Sequence, residues 1–465
     1  MNNKLEQFKK DVKNKRVAVM GIGVSNIPLI KYLVSFGVDV TAFDKSTEEK
    51  LTDAFNELKG LPVKYSLGPD YLSRLNGFDM IFRTPGMRPD LPELVEAVAN
   101  GAELTSEMEV FLKLCPAQVF AVTGSDGKTT TTTLIYKTLS EEGFKCWLGG
   151  NIGTPLLSKI DDVAETDKVI LELSSFQLMT IKDCPSVAVI TNISPNHLDV
   201  HKSLQEYIDA KKNIFINQNE NDKLVLNFDN EITKSFNYEA RGEYVYFSRL
   251  NNINEGVVYQ NGRIIVKKEN SITEIIEGDK IKIPGVHNIE NYMAATAATI
   301  DYVKPETIAR IASSFNGVEH RIELVRELNG VKFYNSSIDS SPSRTIAALK
   351  TFKDKVILIA GGKDKGIPYD SMGEIITEKV KCLLLIGATA SRIEEAYKNY
   401  LQQRDLENDI KIIHCDTYQE VVQKAHAEAE QGDCIILSPA STSFDMFKNF
   451  EHRGNVFKEL VNNLK

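Results

Sequence analysis

An α/β fold of several domains, built on mostly parallel sheets, is what the sequence predicts, and three observations predict it. Val- and Ile-rich runs recur along the chain, each ending in a turn of small or polar residues: 16–20, 40–43, 80–82, 119–122, 169–171, 187–190 and 224–226, then 356–359, 382–386, 410–413 and 434–437. Continuous apolar runs of this length, alternating with helical stretches, are the pattern of parallel strands covered on both faces. At 465 residues the chain exceeds one compact core and, at about 150 residues per domain, divides into roughly three. The unusual motifs sit where the runs end, the position at which open α/β sheets hold ligands.

Composition narrows the partners. Apolar residues make up 42% and charged ones 26%, ordinary for a globular protein, and the balance of 55 basic against 64 acidic residues gives −9. No electrostatic footprint for nucleic acid or an anionic membrane is present, so an anionic ligand must be held by a local site. The six cysteines (115, 146, 184, 382, 415, 434) include no C-x-x-C pair. With no leader pattern and no apolar run of spanning length, a reduced, cytoplasmic chain is expected.

Taken in order, the first run leads into Gly21-Ile22-Gly23-Val24-Ser25-Asn26 and the second ends at Asp44-Lys45-Ser46. This is the layout of a Rossmann-like dinucleotide fingerprint, with an acidic residue placed for a ribose hydroxyl. Asn26 stands where the third glycine belongs, so a nucleotide-like ligand fits better than NAD. Thr84-Pro85-Gly86 follows the run 80–82 and can line the same crevice.

The run 119–122 passes through Thr123 into Gly124-Ser125-Asp126-Gly127-Lys128-Thr129-Thr130, a shortened P-loop with Val122 where the usual first glycine falls. Its glycines free backbone N–H groups for phosphate oxygens, Lys128 adds a mobile cation, and Thr129 adds a hydroxyl for Mg²⁺. A nucleoside triphosphate site in a P-loop ATPase-like central domain is predicted. Glu172 ends the next strand, where a carboxylate can reach a metal near that loop. The run 187–190 leads to His197 and then to Lys211 on a helix; alone these read as a structural histidine and a solvated lysine, but their place downstream of the P-loop favours a role. Residues 240–283 alternate polar and apolar around Asn261-Gly262, which predicts a small antiparallel patch without a catalytic part. Asn288 and Asn291 open an alanine-rich helix, either as caps or as partners for an adenine edge.

Together the residues resemble the Mur ligases, over nearly the whole chain. The most specific segments are 123–130, Leu148-Gly-Gly-Asn-Ile-Gly-Thr-Pro, Glu172-Leu-Ser-Ser-Phe-Gln-Leu, Asn196-His-Leu-Asp, Gly285-x-His-Asn-x-x-Asn and the run from Ser438 to Gly454. Gly-Asn-Ile-Gly and Ser-Ser-Phe-Gln-Leu point to the D-glutamate-adding branch, and the Asp-Asn-Pro-Arg string of the diaminopimelate-adding branch is absent. The resemblance implies three domains: 1–113 for the UDP-sugar substrate, 114–318 for ATP and, Rossmann-like again, 319–465 for D-glutamate. It implies a cytoplasmic monomer that phosphorylates the carboxylate of UDP-N-acetylmuramoyl-L-alanine with ATP and lets the amine of D-glutamate displace phosphate.

Residue by residue, the resemblance implies that Thr129 and Glu172 hold one Mg²⁺ and that His197 and Lys211 serve a second, with Lys211 as a carbamate. The loop 124–130, Asn291 and Arg321 would meet ATP, and Gly21 to Asn26, Asp44 to Ser46 and Thr84 to Gly86 the UDP end, with Asn151 nearer the reacting centre. Lys365, Ser443 and Phe450 would meet D-glutamate. One departure is clear: Ser336 replaces the family's aspartate and Ile338 a frequent lysine, leaving Asp339 as the expected substitute. Three other readings stand beside this one: a folylpolyglutamate synthase-like ligase, an NAD-dependent dehydrogenase that leaves the P-loop idle, and a binding protein that has lost ligase activity.

Overall fold

The apolar runs become strands of three sheets in the computed structural model, which describes residues 2–23, 26–195, 200–269, 271–283, 285–364, 366–407 and 410–465. Val24, Ser25, His197 and Lys365, singled out above, lie outside the described residues. The chain forms two compact units, Met1–Asp279 with Ile289–Ala312, and Lys280–Asn288 with Ser313–Lys465.

The first unit holds two sheets. Strands β1 (Arg16–Met20), β2 (Asp39–Asp44), β3 (Val63–Leu67), β4 (Met80–Phe82) and β5 (Glu103–Thr105) are all parallel, in the order β3-β2-β1-β4-β5. The order reverses at β1, so the crevice of an open α/β sheet falls at its carboxyl end, where Gly21 begins. The second sheet contains β6 (Gln118–Thr123), β7 (Cys146–Gly150), β8 (Lys168–Glu172), β9 (Val187–Ile190), β10 (Lys223–Asn227), β11 (Glu243–Ser248), β12 (Gly256–Gln260), β13 (Arg263–Lys268) and β14 (Ser271–Glu277). Its order is β14-β13-β12-β11-β10-β9-β6-β8-β7. The P-loop strand β6 is flanked by β8 and β9, both parallel to it, so Glu172 and Thr191 end up beside the phosphate turn.

The predicted antiparallel patch is smaller than residues 240–283. Strand β11 runs parallel to both β10 and β12, and only β12, β13 and β14 are antiparallel. Polar–apolar alternation reports a half-exposed strand and carries no information on direction. The turn itself agrees with its residues: Asn261 (φ 52°) and Gly262 (φ 77°) both occupy the left-handed region that a two-residue hairpin demands.

The second unit has one sheet: β15 (Glu323–Leu328), β16 (Val331–Asn335), β17 (Val356–Ala360), β18 (Val380–Ile386), β19 (Lys411–Cys415) and β20 (Cys434–Leu437), in the order β15-β16-β20-β17-β18-β19. Only the β15–β16 pair is antiparallel. Every residue of β17 is buried, as helices on both faces require, and each such Val, Ile or Leu contributes about 1.5–3 kcal/mol of burial. Among the described residues no helix is long and apolar enough to cross a membrane.

Candidate active site

The phosphate turn leaves β6 at Gly124 (φ 149°) and enters the helix Lys128–Glu142 at Gly127 (φ 79°). Both glycines are required by space as well as by backbone angle. A Cβ on Gly124 would lie 1.9 Å from Thr191 Oγ1, and one on Gly127 would lie 2.3 Å from Asn291 Oδ1. The turn is braced from β9: the Ser125 N–H donates to the Asn192 carbonyl (2.8 Å), the Asp126 N–H to Asn192 Oδ1 (2.9 Å), and Thr191 Oγ1 to the Asp126 carbonyl (2.6 Å). Such a turn aims N–H groups and a helix N-terminus at one spot, the arrangement that holds phosphate. Thr129 is buried and Thr130 half-buried in the helix's first turn.

Two lysines close over the same carbonyl. Lys128 Nζ donates to the carbonyls of Gly124 (2.9 Å) and Ser125 (2.8 Å), and Lys211 Nζ to Gly124 (2.8 Å) and to Thr123 Oγ1 (3.2 Å). Lys211 is 1% exposed, on the helix Leu204–Lys212, and its ammonium lies 4.7 Å from the ring centre of Tyr207. Burial, reinforced by the charge of Lys128, pushes its pKa well below the usual lysine range, against the opposing pull of Glu172 and Asp126. The solvated lysine suggested by helix position alone is therefore not what the fold contains.

Glu172 is 1% exposed at the end of β8. Its Oε1 accepts from Asn151 Nδ2 (2.8 Å), while Oε2 is buried without a hydrogen-bond partner. A buried, half-satisfied carboxylate beside a phosphate turn is the donor a hard cation needs. Gly150 brings Asn151 there: its φ is 95°, and a Cβ would sit 2.1 Å from the Glu172 carbonyl oxygen. Among the described residues no group of three or more His, Cys, Asp and Glu side chains gathers as a metal centre. Asn291, 5% exposed, faces the phosphate turn, with Thr131 Oγ1 donating to its Oδ1 (3.3 Å).

At the amino-terminal crevice the predicted turns converge. A Cβ on Gly21 (φ 88°) would lie 3.7 Å from Thr84 and 3.8 Å from Asn26 Nδ2. Asn26 Nδ2 donates to the carbonyls of Met20 (2.8 Å) and Gly21 (3.0 Å), so this residue holds the turn closed where a glycine would leave it loose. Asp44 accepts the N–H groups of Ile22 (2.9 Å) and Ser46 (2.8 Å), and its two oxygens keep acceptor capacity for a ligand. Gly23, Lys45, Pro85 and Gly86 lie in these same turns.

In the second unit, Arg321 is flanked by two non-glycine residues in the left-handed region, His320 (φ 62°) and the β-branched Ile322 (φ 46°). Strain of this kind persists where it aims a functional side chain. Asp339 is 6% exposed and accepts from Ser438 Oγ (2.8 Å). Burial pushes its carboxyl up to about 6, against hydrogen bonds from Ser336 and Ser438 and the charges of Arg321 and Arg344. The carboxylate of Asp339 thus lies beside the hydroxyl of Ser336. Ser443 is 2% exposed, and Phe450 begins the helix Phe450–Asn462, its carbonyl accepting from Ser337 Oγ (2.8 Å).

Sequence reasoning missed Arg83, Arg88, Glu206 and His201, which tie the turn 84–87 to the segment following Glu172 and to the helix carrying Lys211. The available signal was an arginine on each side of Thr84-Pro85-Gly86, one of them directly after a fully apolar strand.

Domain profiles match three consecutive segments: the MurD-like N-terminal domain of Mur ligases over residues 15–106, the Mur ligase middle domain over 122–299, and the Mur ligase glutamate ligase domain over 320–441. The chain is 60% identical to a UDP-N-acetylmuramoylalanine--D-glutamate ligase of Acetivibrio thermocellus and 52% identical to one of Clostridium acetobutylicum, with all of both chains covered each time. The solved UDP-N-acetylmuramate-alanine ligase of Thermotoga maritima shares the fold at a TM-score of 0.58 and 18% identity, over 97% of this chain and 100% of its own. Three matched domains and this identity along the entire length show that the chain belongs to the Mur ligase family.

Proposed function

We propose that the protein joins D-glutamate to UDP-N-acetylmuramoyl-L-alanine with ATP, releasing ADP and phosphate, in the cytoplasmic synthesis of peptidoglycan precursor, and that it works as a monomer. The relatives at 60% and 52% identity carry the name of this activity. The observation that carries the reading on the chain itself is the juxtaposition of Lys128, Lys211 and Glu172 at one glycine turn. A folylpolyglutamate synthase-like ligase is disfavoured by the matched amino-terminal domain over 15–106, and an NAD-dependent dehydrogenase by the braced P-loop.

A carboxylate is a poor electrophile, so its oxygen first attacks the γ-phosphorus and ADP leaves. The amine of D-glutamate then attacks the acyl carbon, the C–O bond to phosphate breaks, and phosphate and a proton depart. Several negative charges meet in this sequence, and electrostatic positioning has to supply most of the rate. Residues 124–130 would cradle the phosphates with N–H groups, and Lys128 would turn from its own loop carbonyls to the transferred group. Mg²⁺, of which two ions fit the reading, supplies charge neutralisation on the phosphates; Thr129, Glu172, His197 and Lys211 are its proposed holders. Asn291 and Arg321 complete the ATP site, with Asp339 standing in for the missing aspartate at Ser336. Gly21 to Asn26, Asp44 to Ser46 and Thr84 to Gly86 take the UDP end, Asn151 orients the reacting carboxylate, and Lys365, Ser443 and Phe450 receive D-glutamate. The domains in this assignment are 1–113, 114–318 and 319–465.

Phosphate release from ATP with UDP-N-acetylmuramoyl-L-alanine, with D-glutamate, L-glutamate or neither, tests the function. Release requiring both the nucleotide-sugar and the D-isomer is expected. No release under any combination would return the reading to a retired ligase.

A further inference from the structure

The turn Thr84–Met87 is bracketed by two arginines whose partners lie mostly outside its own sheet. Arg83 is 1% exposed. Its Nη2 donates to the Phe176 carbonyl (3.0 Å) and to Thr180 Oγ1 (2.8 Å), and its Nη1 to the Met87 carbonyl (3.1 Å). Phe176 sits in the short helix Ser175–Leu178, which begins just after Glu172 and is fixed by a capping box from Ser174 and Gln177. On the other side of the turn, Arg88 reaches Glu206 with both terminal nitrogens, Nη2 to Oε1 (2.8 Å) and Nη1 to Oε2 (3.1 Å), and also the Val200 carbonyl (2.7 Å). Its Nε is held by Asp90 (2.8 Å), which Lys202 also pairs. Glu206 precedes Tyr207 on the helix that ends in Lys211 and Lys212.

His201 joins the two prongs. Its Nε2 lies 2.9 Å from Ser175 Oγ, its ring stacks on Phe176 at 5.4 Å, and its Nδ1 lies 3.6 Å from Glu206 Oε2. A circuit of contacts results, with the 3.6 Å approach of His201 to Glu206 as its loosest link: turn, Arg83, helix 175–178, His201, Glu206, Arg88 and back to the turn. An isolated surface ion pair stabilises a fold little, and a bidentate fork is chiefly a device for fixing geometry. This circuit fixes two elements at once, the one following Glu172 and the one carrying Lys211, both against a turn of the amino-terminal crevice.

We propose that Arg83 and Arg88 are positioning residues that couple occupancy of the amino-terminal crevice to the placement of Glu172 and Lys211 at the phosphate turn. The inference rests on the reading of that crevice as the nucleotide-sugar site. Coupling of this kind is reciprocal, so each ligand tightens the other. Arg88 and Glu206 are the accessible members of the circuit, and the test uses them because Arg83 is buried and Arg83→Ala can fail to fold.

Calorimetric affinity of the full chain for a non-hydrolysable ATP analogue is measured with and without UDP-N-acetylmuramoyl-L-alanine. The wild type is expected to bind the analogue about tenfold more tightly when the nucleotide-sugar is present. Arg88→Ala and Glu206→Gln are expected to lose most of that factor while retaining the affinity for each ligand alone, and Arg88→Lys, which keeps charge without the fork, to retain only part. A merely structural contact would instead alter thermal stability and leave the factor intact. An unchanged factor in Arg88→Ala, or none in the wild type, overturns the proposal. Phosphate release by the wild type separates this outcome from failure of the functional reading, because a turning-over enzyme without coupling refutes only the inference.

Discussion

Replacing Asp339 by asparagine should stabilise the protein at pH 8 and leave its stability at pH 4 nearly unchanged. The reason is the cost of holding a carboxylate in a site that is 6% exposed. Its pKa rises from 3.8 to about 6 on folding, and that shift of about 2 units corresponds to about 3 kcal/mol of penalty on the charged form. The folded-state value lies above the unfolded one, so the stability this group contributes is fully present below about pH 4 and is lost as pH rises through about 6. Asparagine keeps the shape without titrating, its Oδ1 accepting from one serine while its Nδ2 donates to the hydroxyl of the other. The difference between variant and wild type should therefore widen by about 3 kcal/mol between pH 4 and pH 8. Urea-unfolding midpoints followed by circular dichroism at both pH values measure it. A difference independent of pH, or a variant less stable than wild type at pH 8, would refute the argument. A carboxylate kept at this cost should have work to do, and Asp339→Ala is expected to raise the KM for ATP; an unchanged KM would sink its role as the substitute for an aspartate at Ser336.

Two further outcomes follow from the phosphate turn. Lys211→Ala should lower turnover by at least about a hundredfold, and formate should restore part of it by supplying the carboxylate that a carbamate would provide; full activity without formate rules the role out. Gly124→Ala should cost about 1–3 kcal/mol and ATP binding with it, since its Cβ would fall 1.9 Å from Thr191 Oγ1. Adding Thr191→Ala removes that atom and should recover part of the thermal stability; no recovery would place the strain in the backbone angle alone.

The sequence disclosed what depends on neighbours in the chain and concealed what depends on distant ones. Gly124, Gly127 and Lys128 were legible because their spacing is the mechanism, and Asn261-Gly262 because turn chemistry is local. Strand β7 went unread: Cys146–Gly150 ends in two glycines and lacks the β-branched residues that mark its neighbours. Arg83 and Arg88 are not legible as linking residues because their partners beyond the turn lie 93 to 118 residues away, outside any periodicity. The resemblance to Mur ligases supplies the residue assignments that spacing does not, and Asp339, outside the family's pattern, is legible only as the nearest charge to a missing one.

Lys211 illustrates how a fold can reverse the ordinary meaning of a residue. A lysine on a surface helix reads as a solvated cation, yet here its amine shares the Gly124 carbonyl with Lys128, at 2.8 and 2.9 Å, and is almost wholly excluded from water. Two like charges on one acceptor are unfavourable, and burial with the charge of Lys128 pushes the pKa of Lys211 down. Only the neutral amine has a lone pair, so only this form can bond to CO₂, lose a proton and become a carbamate. The anion formed in that way would meet the charge of Lys128, whose repulsion had disfavoured the protonated amine. One contact would thus first favour the reactive form and then stabilise its product. That logic requires Lys211 to stay against Gly124, and the helix that holds it there is the one Arg88 grips through Glu206.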